Sequence, residues 1–212
     1  LEKSLGMFFG MFAFALFDRQ EGELTLVRDR IGEKPLYYGW QGNTFLFGSE
    51  LKALRVHPSW QGGIDREALS LYFQYRYIPS PLTIHPNIHK LEPGTYLRLK
   101  RVGHRWDTSK NTWWSYKKYV NENVPQEHRS PSLVVDSLDD ILRTVLSEQR
   151  LADVPIGALL SGGIDSTIIV GIMQQLSNRP IKTFSIGVED DYLNELDNAR
   201  LLANMYKTDH SE

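Results

Sequence analysis

The chain has 212 residues, of which 41% are apolar, enough for one large or two modest cores. Its 24 lysines and arginines stand against 26 acids, a net charge of −2 with both signs scattered, so no basic field recommends nucleic acid or an anionic membrane as partner. It contains no cysteine, which excludes disulfides, thiolate metal sites and thiol nucleophiles from these residues.

The longest apolar run, Met7 to Phe17, is interrupted by glycine and too short to span a bilayer, and no charged segment with a cleavage site precedes it. A cytoplasmic protein is expected. The chain starts at Leu1 without methionine and stops at Glu212 soon after a strand begins, so a fragment of a longer product is also expected.

From Gly6 to Glu50 the apolar residues recur with period two. Phe12, Phe14 and Leu16 fall on one face and Ala13, Ala15 and Phe17 on the other, the pattern of a strand inside a layered protein. Asp18 to Gly22 is a turn signal, Leu24 to Val27 a second strand, and Pro35 to Gly39 and Thr44 to Phe47 two more around Gln41-Gly42-Asn43. An antiparallel meander is expected, closed by a short helix around Glu50 to Leu54. Asp65 is placed to cap a helix with Ala68, Leu69, Tyr72 and Phe73 on its apolar side.

Tyr77 to Pro86 holds three prolines and cannot be a helix or inner strand, so it crosses in extended form before the turn and strand of Leu91 to Leu97. His85 and His89 are four apart, but Pro86 between them denies a shared helical face, and no metal role is assigned. Arg101 to Ser130 is polar and reads as strand end plus linker, with Trp106, Trp113 and Trp114 packing at a domain junction. Ser130-Pro131 opens a helix, cap and then proline, with Leu138, Ile141, Leu142, Val145 and Leu146 on one face and its end near Asp153.

The run from Val154 to Gln175 reads as buried strand, tight loop and helix, with Ser161-Gly162-Gly163-Ile164-Asp165-Ser166 as the loop. The two glycines permit a sharp bend, Asp165 or Ser166 can cap the helix, and its first N–H groups form a corner that attracts phosphate. No lysine follows, so this is not the usual nucleotide loop. An acid beside phosphate oxygens implies a bridging magnesium ion at Asp165. The plain alternative is a strand-to-helix turn in which Asp-Ser only caps. Ile181 to Val188 then reads as a second parallel strand and Glu195 to Tyr206 as a second helix, the start of a doubly wound sheet whose ligands bind at the carboxyl ends of its strands.

The six-residue loop resembles the S-G-G-x-D-S loop of the ATP-pyrophosphatase superfamily. Gly10 to Asp18, Arg28 to Tyr38 and Gly48 to Leu54 resemble the second half of the N-terminal-nucleophile glutaminase domain of class II glutamine amidotransferases. Together they resemble the glutamine-hydrolysing asparagine synthetase family from about Gly10 to His210, most weakly over Arg101 to Ser130. One departure is an echo: Leu5-Gly6-Met7-Phe8-Phe9 precedes Gly10-Met11-Phe12, so the approach to the first strand is expected to be altered.

The resemblance implies an α/β fold: an α+β part of a glutaminase sandwich over 1–100, a linker over 101–130, and the start of an ATP-pyrophosphatase domain over 131–212. It implies ATP and magnesium, with aspartate and glutamine as substrates and a homodimer as an open expectation. By it, Ser161, Gly162, Gly163, Asp165 and Ser166 carry pyrophosphate and magnesium, Leu159 contacts the adenosine and Ile186 lines the adenine pocket. The family's glutaminase nucleophile is an N-terminal cysteine, so no glutaminase catalytic residue is carried over, and Arg28, Arg30 and Glu50 are read as structural ion-pair and capping residues. Two alternatives remain open: a relative that adenylates another carboxylate, such as a β-lactam-forming cyclase, and a non-catalytic scaffold.

Overall fold

The strands of the first 112 residues pair locally but sort into two sheets. A computed structural model describes residues 1–103, 105–122, 130–187 and 195–212, in two compact units, Leu1–Pro125 and Gln126–Glu212. After a four-residue helix α1 (Glu2–Leu5), the strands β1 (Ala13–Asp18) and β2 (Glu23–Arg28) pair antiparallel. The next hairpin, β3 (Tyr37–Gln41) and β4 (Thr44–Gly48), joins β5 (Ile88–Lys90). The later hairpin, β6 (Thr95–Val102) and β7 (Arg105–Thr112), joins β2, so the sheets run β1-β2-β6-β7 and β4-β3-β5. The expected single meander is therefore corrected: β2 and β3 part because alternate residues of β2 need cover on opposite faces. Leu24 and Leu26 face a core with Leu97, Leu36, Leu91, Tyr38 and Phe45, while Val27 joins Tyr96, Leu5, Phe12, Phe14 and Trp113.

Three other readings of this unit change. The strand with apolar residues on both sides is an edge strand, and Leu16 and Phe17 are 53% and 59% exposed. The described part of the 101–130 stretch is not a linker. It holds the whole of β7, paired residue for residue with β6, and a helix α4 (Tyr116–Glu122); residues 104 and 123–129 lie outside the described residues. The three tryptophans make their ring contacts within the first unit: Trp113 stacks on Phe12 at 6.0 Å, Trp106 meets Trp40, and Trp114 meets Tyr116 and Tyr119.

A short helix α2 (Leu51–Arg55) follows β4, packing Leu51 and Leu54 with Leu46 and Ile88. The doubled run before β1 puts Leu5 in the core and Phe8 edge-on against Phe12. Asp65 caps α3 (Arg66–Tyr75) through the N–H groups of Glu67 and Ala68, as expected, although only Ala68 is fully buried and Phe73 stays exposed.

Of the expected ion-pair and capping residues, Arg28 and Arg30 hold backbone carbonyls instead, whereas Glu50 makes an ion pair but no cap. The Arg28 guanidinium donates to three carbonyls, those of Lys34 at 2.8 Å and of Leu91 and Gly32 at 2.6 Å. Arg30 donates to the carbonyls of Phe8 and Gly6 and lies over the Trp113 ring. Glu50 precedes α2 without a side-chain cap bond and pairs with exposed Lys52. The buried acid here is Asp29, which accepts from the N–H groups of Gly32, Glu33 and Lys34 at 2.7, 2.9 and 2.9 Å. His85 bonds the Gly63 carbonyl and His89 packs on Tyr38, which leaves both as local structural groups.

The second unit begins with α5 (Pro131–Gln149), capped by Ser130 through the Leu133 N–H and ending before the expected Asp153. Leu142 and Leu146 pack against Ile172 and Met173 of α6 (Ile164–Gln175), whereas Leu138, Ile141 and Val145 are exposed. Three short strands, β8 (Gly157–Leu159), β9 (Lys182–Phe184) and β10 (Asp209–Ser211), run parallel in the order β10-β9-β8, with α6 and α7 (Leu196–Tyr206) in the crossovers. Parallel strands joined through helices match the expected fold class. The second strand is shorter than Ile181 to Val188, with Val188 outside the described residues, and β10 makes a third. Val170, Ala199 and Ala203 close around Leu160. Among the described residues, no helix is long and apolar enough to cross a membrane.

Candidate functional site

The carboxyl ends of β8 and β9 lie side by side, because Leu159 pairs with Phe184 in the parallel register and the Leu160 N–H reaches the Phe184 carbonyl at 2.9 Å. The loops that leave the two strands therefore start next to each other. Leu159 is 73% exposed and Ile186 85% exposed, two large apolar groups facing open space at neighbouring strand ends. Between them opens a cleft of about 220 Å³, lined also by Ser161, Phe184 and Ser185 and, from the start of α7, by Glu195. Sequence reasoning missed Ser185 and Glu195. Their signal was position alone, one directly after a parallel strand and the other directly before a helix.

Beyond Ser161 the chain turns into α6. Gly162 takes φ +85°, and a Cβ there would come within 2.7 Å of the Asn198 Cβ, so both the backbone angle and the approach of α7 require glycine. Gly163, at φ −73°, is the N-cap residue of α6 and has no side-chain cap bond. The expected capping by Asp165 or Ser166 is thus corrected: both lie inside the helix's first turn. Ser166 instead turns its hydroxyl back to the Gly163 carbonyl at 3.1 Å, while the Ser161 hydroxyl stands 3.1 Å from it and accepts from the Gly163 N–H at 3.3 Å. Because the Ser166 proton is committed to the carbonyl, the Ser161 hydroxyl donates to Ser166. Thr167 also donates to the Gly163 carbonyl, at 2.7 Å.

This mesh leaves the first N–H groups of α6 without intrahelical acceptors, at the positive end of a 12-residue helix. Asp165 sits beside them, exposed, its carboxylate without a hydrogen bond or ion pair to any described residue. The arrangement suits an anion held by backbone amides. It suits equally a small hard cation shared between that anion and one carboxylate, since magnesium commonly takes one or two carboxylates and fills its shell with water and phosphate oxygens. Among the described residues no group of three or more histidines or acids could hold a metal without such a ligand. The structure brings Leu159, Ser161 and Ile186 to one cleft and Gly162, Gly163, Asp165 and Ser166 to the adjoining turn.

Comparison with known proteins places both units. Residues 2–114 match the family described as a glutamine amidotransferase domain, and residues 137–212 match the asparagine synthase family. A Methanocaldococcus jannaschii protein provisionally named asparagine synthetase (glutamine-hydrolyzing) 2 is 34% identical over 208 residues, 96% of this chain and 38% of its own. Asparagine synthetase (glutamine-hydrolyzing) 1 of Bacillus subtilis is 34% identical over 192 residues, 90% of this chain and 28% of its own. The chain thus spans about a third of the length of these relatives. A solved structure described as the allosteric regulatory enzyme of purine biosynthesis overlays at a TM-score of 0.35 with 17% identity, covering 91% of this chain and 35% of that one.

Proposed function

Because the chain belongs to the glutamine amidotransferase domain family over residues 2–114, with an asparagine synthase match over 137–212, we propose that it works in an ATP-dependent, amide-forming ligase reaction of the asparagine synthetase type. In that reaction the side-chain carboxylate of aspartate attacks the α-phosphorus of ATP and pyrophosphate leaves. Ammonia drawn from glutamine then attacks the resulting acyl-adenylate, and AMP leaves. The observation that carries the reading is the meeting, at Ser161, of an amide-rich anion corner with an apolar cleft at adjacent parallel strand ends.

In this assignment the first unit belongs to the amidotransferase side and the second to the ATP-using side. The adenine ring lies against the apolar surface that Leu159 and Ile186 present at neighbouring strand ends. The N–H groups at the start of α6 hold the pyrophosphate end, and Gly162 lets the backbone come close enough to do so. The Ser161 and Ser166 hydroxyls fix the loop in the shape those amides need. Asp165 would hold magnesium, which supplies charge neutralisation for the departing pyrophosphate. None of the 212 residues is a cysteine, so no residue here is proposed as the glutaminase nucleophile.

The test is aspartate-dependent exchange of labelled pyrophosphate into ATP by the intact protein. Asp165→Ala should lower exchange on the order of 100-fold or more, with the thermal unfolding midpoint unmoved. Exchange at the wild-type rate in that variant would reduce Asp165 to an ordinary first-turn acid of a helix. Exchange driven by another carboxylate and not by aspartate would move the chain to a different acceptor.

A further inference from the structure

Among the described residues that line the cleft, Glu195 is the charged one, and neither the apolar walls nor the amide corner accounts for it. It stands immediately before α7, yet its side chain makes no cap bond, and it has no hydrogen bond or ion pair to another described side chain. It shares the cleft with Leu159, Ser161 and Ile186, whereas Gly163, Asp165 and Ser166 do not line it. Glu195 thus shares the cleft with Ser161, whereas Asp165, the carboxylate that would share a cation, does not line it.

A carboxylate at neutral pH only accepts hydrogen bonds and repels phosphate, so its ligand must present donors. Resting on the ATP reading of this site, the donors between the base against Leu159 and Ile186 and the phosphates at Ser161 are the two ribose hydroxyls. One carboxylate can take both, as acidic residues near the start of other doubly wound sheets take the ribose of dinucleotides. We propose that Glu195 accepts hydrogen bonds from the ribose hydroxyls of the bound nucleotide and selects ribonucleotides over deoxyribonucleotides.

Calorimetric titration of the intact protein with ATP, 2′-deoxy-ATP and 3′-deoxy-ATP tests this. The wild type should bind ATP about tenfold or more tighter than either deoxy analogue, the value of a hydrogen bond to a charged group. Glu195→Ala should weaken ATP to the level of the analogues and leave the analogues nearly unchanged. Glu195→Gln, which keeps an acceptor, should fall between. Equal weakening of all three nucleotides, or a changed magnesium requirement, would overturn the assignment in favour of a structural or cation-holding role. A wild type that binds the three alike would overturn it too, with the ATP reading intact. A wild type that binds no ATP would take that reading down with it.

Discussion

Two acid-bearing loops leave two strands of this chain and treat their carboxylates in opposite ways. Asp29, directly after β2, is 1% exposed and spends its oxygens on the N–H groups of Gly32, Glu33 and Lys34, with Phe12 N–H a fourth donor at 3.4 Å. Asp165, six residues after β8, is exposed, and its carboxylate accepts from no described residue. The neighbouring polar groups differ in the same sense. Around Asp29 the spare carbonyls are consumed by the Arg28 fork, so the loop is saturated. Around Asp165 the hydroxyls satisfy one another and leave the helix amides and the carboxylate facing outward. A saturated acid holds a fold; an acid left open beside unspent donors is available to a ligand.

The sharpest way to break this contrast is to remove each acid in turn. Asp29→Ala strips four part-buried N–H groups of their acceptor and should destabilise the protein by roughly 2–4 kcal/mol, read from urea unfolding, with ATP affinity unaltered. Asp165→Ala should show the reverse, a loss of pyrophosphate exchange with no change in the unfolding midpoint. A stability loss from Asp165→Ala matching that from Asp29→Ala would erase the distinction. Next in size is Gly162→Ala, which forces an L-residue to φ +85° against Asn198 at a cost of about 1–3 kcal/mol. Nucleotide binding should weaken at least as much as the unfolding midpoint falls, and an unchanged dissociation constant would mean the turn does not shape the site.

The smallest effect concerns pH. Burial, reinforced by the Lys110 charge, holds the His89 imidazole below its ordinary pKa of 6.5. The unfolded chain then takes up the proton first, so stability should fall as pH drops through about 6.5 and level off below the folded value. His89 is only half-buried, so the change stays under about 1 kcal/mol. Its removal in His89→Gln should flatten the stability curve of the Asp29 unit between pH 7 and 5; an unchanged slope would assign that dependence to other groups.

Much of this contrast was legible in the residue order wherever local chemistry decides structure. Ser130-Pro131, the Asp65 cap and the strand–Gly-Gly–helix run each state their geometry within a few residues. What was illegible depends on distant partners. Apart from Trp106, β7 is polar and carries no alternation, because it is an exposed edge strand that exists through its pairing with β6. β1 shows the opposite error, with apolar residues on both faces of an edge strand. The parting of β2 and β3 into two sheets turns on Leu91 and Leu97, more than fifty residues downstream. At the site, the loop declared itself by composition, but the cap did not: Asp165 and Ser166 are good capping residues placed too late for a helix that starts at Ile164. Glu195 entered only through the packing of α7 beside the loop.

The Ser161–Ser166 mesh bears on kinetics as well as shape. On the proposed ATP reading, a turn cross-linked by its own hydroxyls would have little left to order when a polyphosphate arrived, so association would run near the rate of productive collision. Differences among nucleotides would then appear as differences in how long each stays. Ser166→Ala, which takes away the Ser166 bonds to Ser161 and to the Gly163 carbonyl, should then slow arrival by loosening the turn before each encounter.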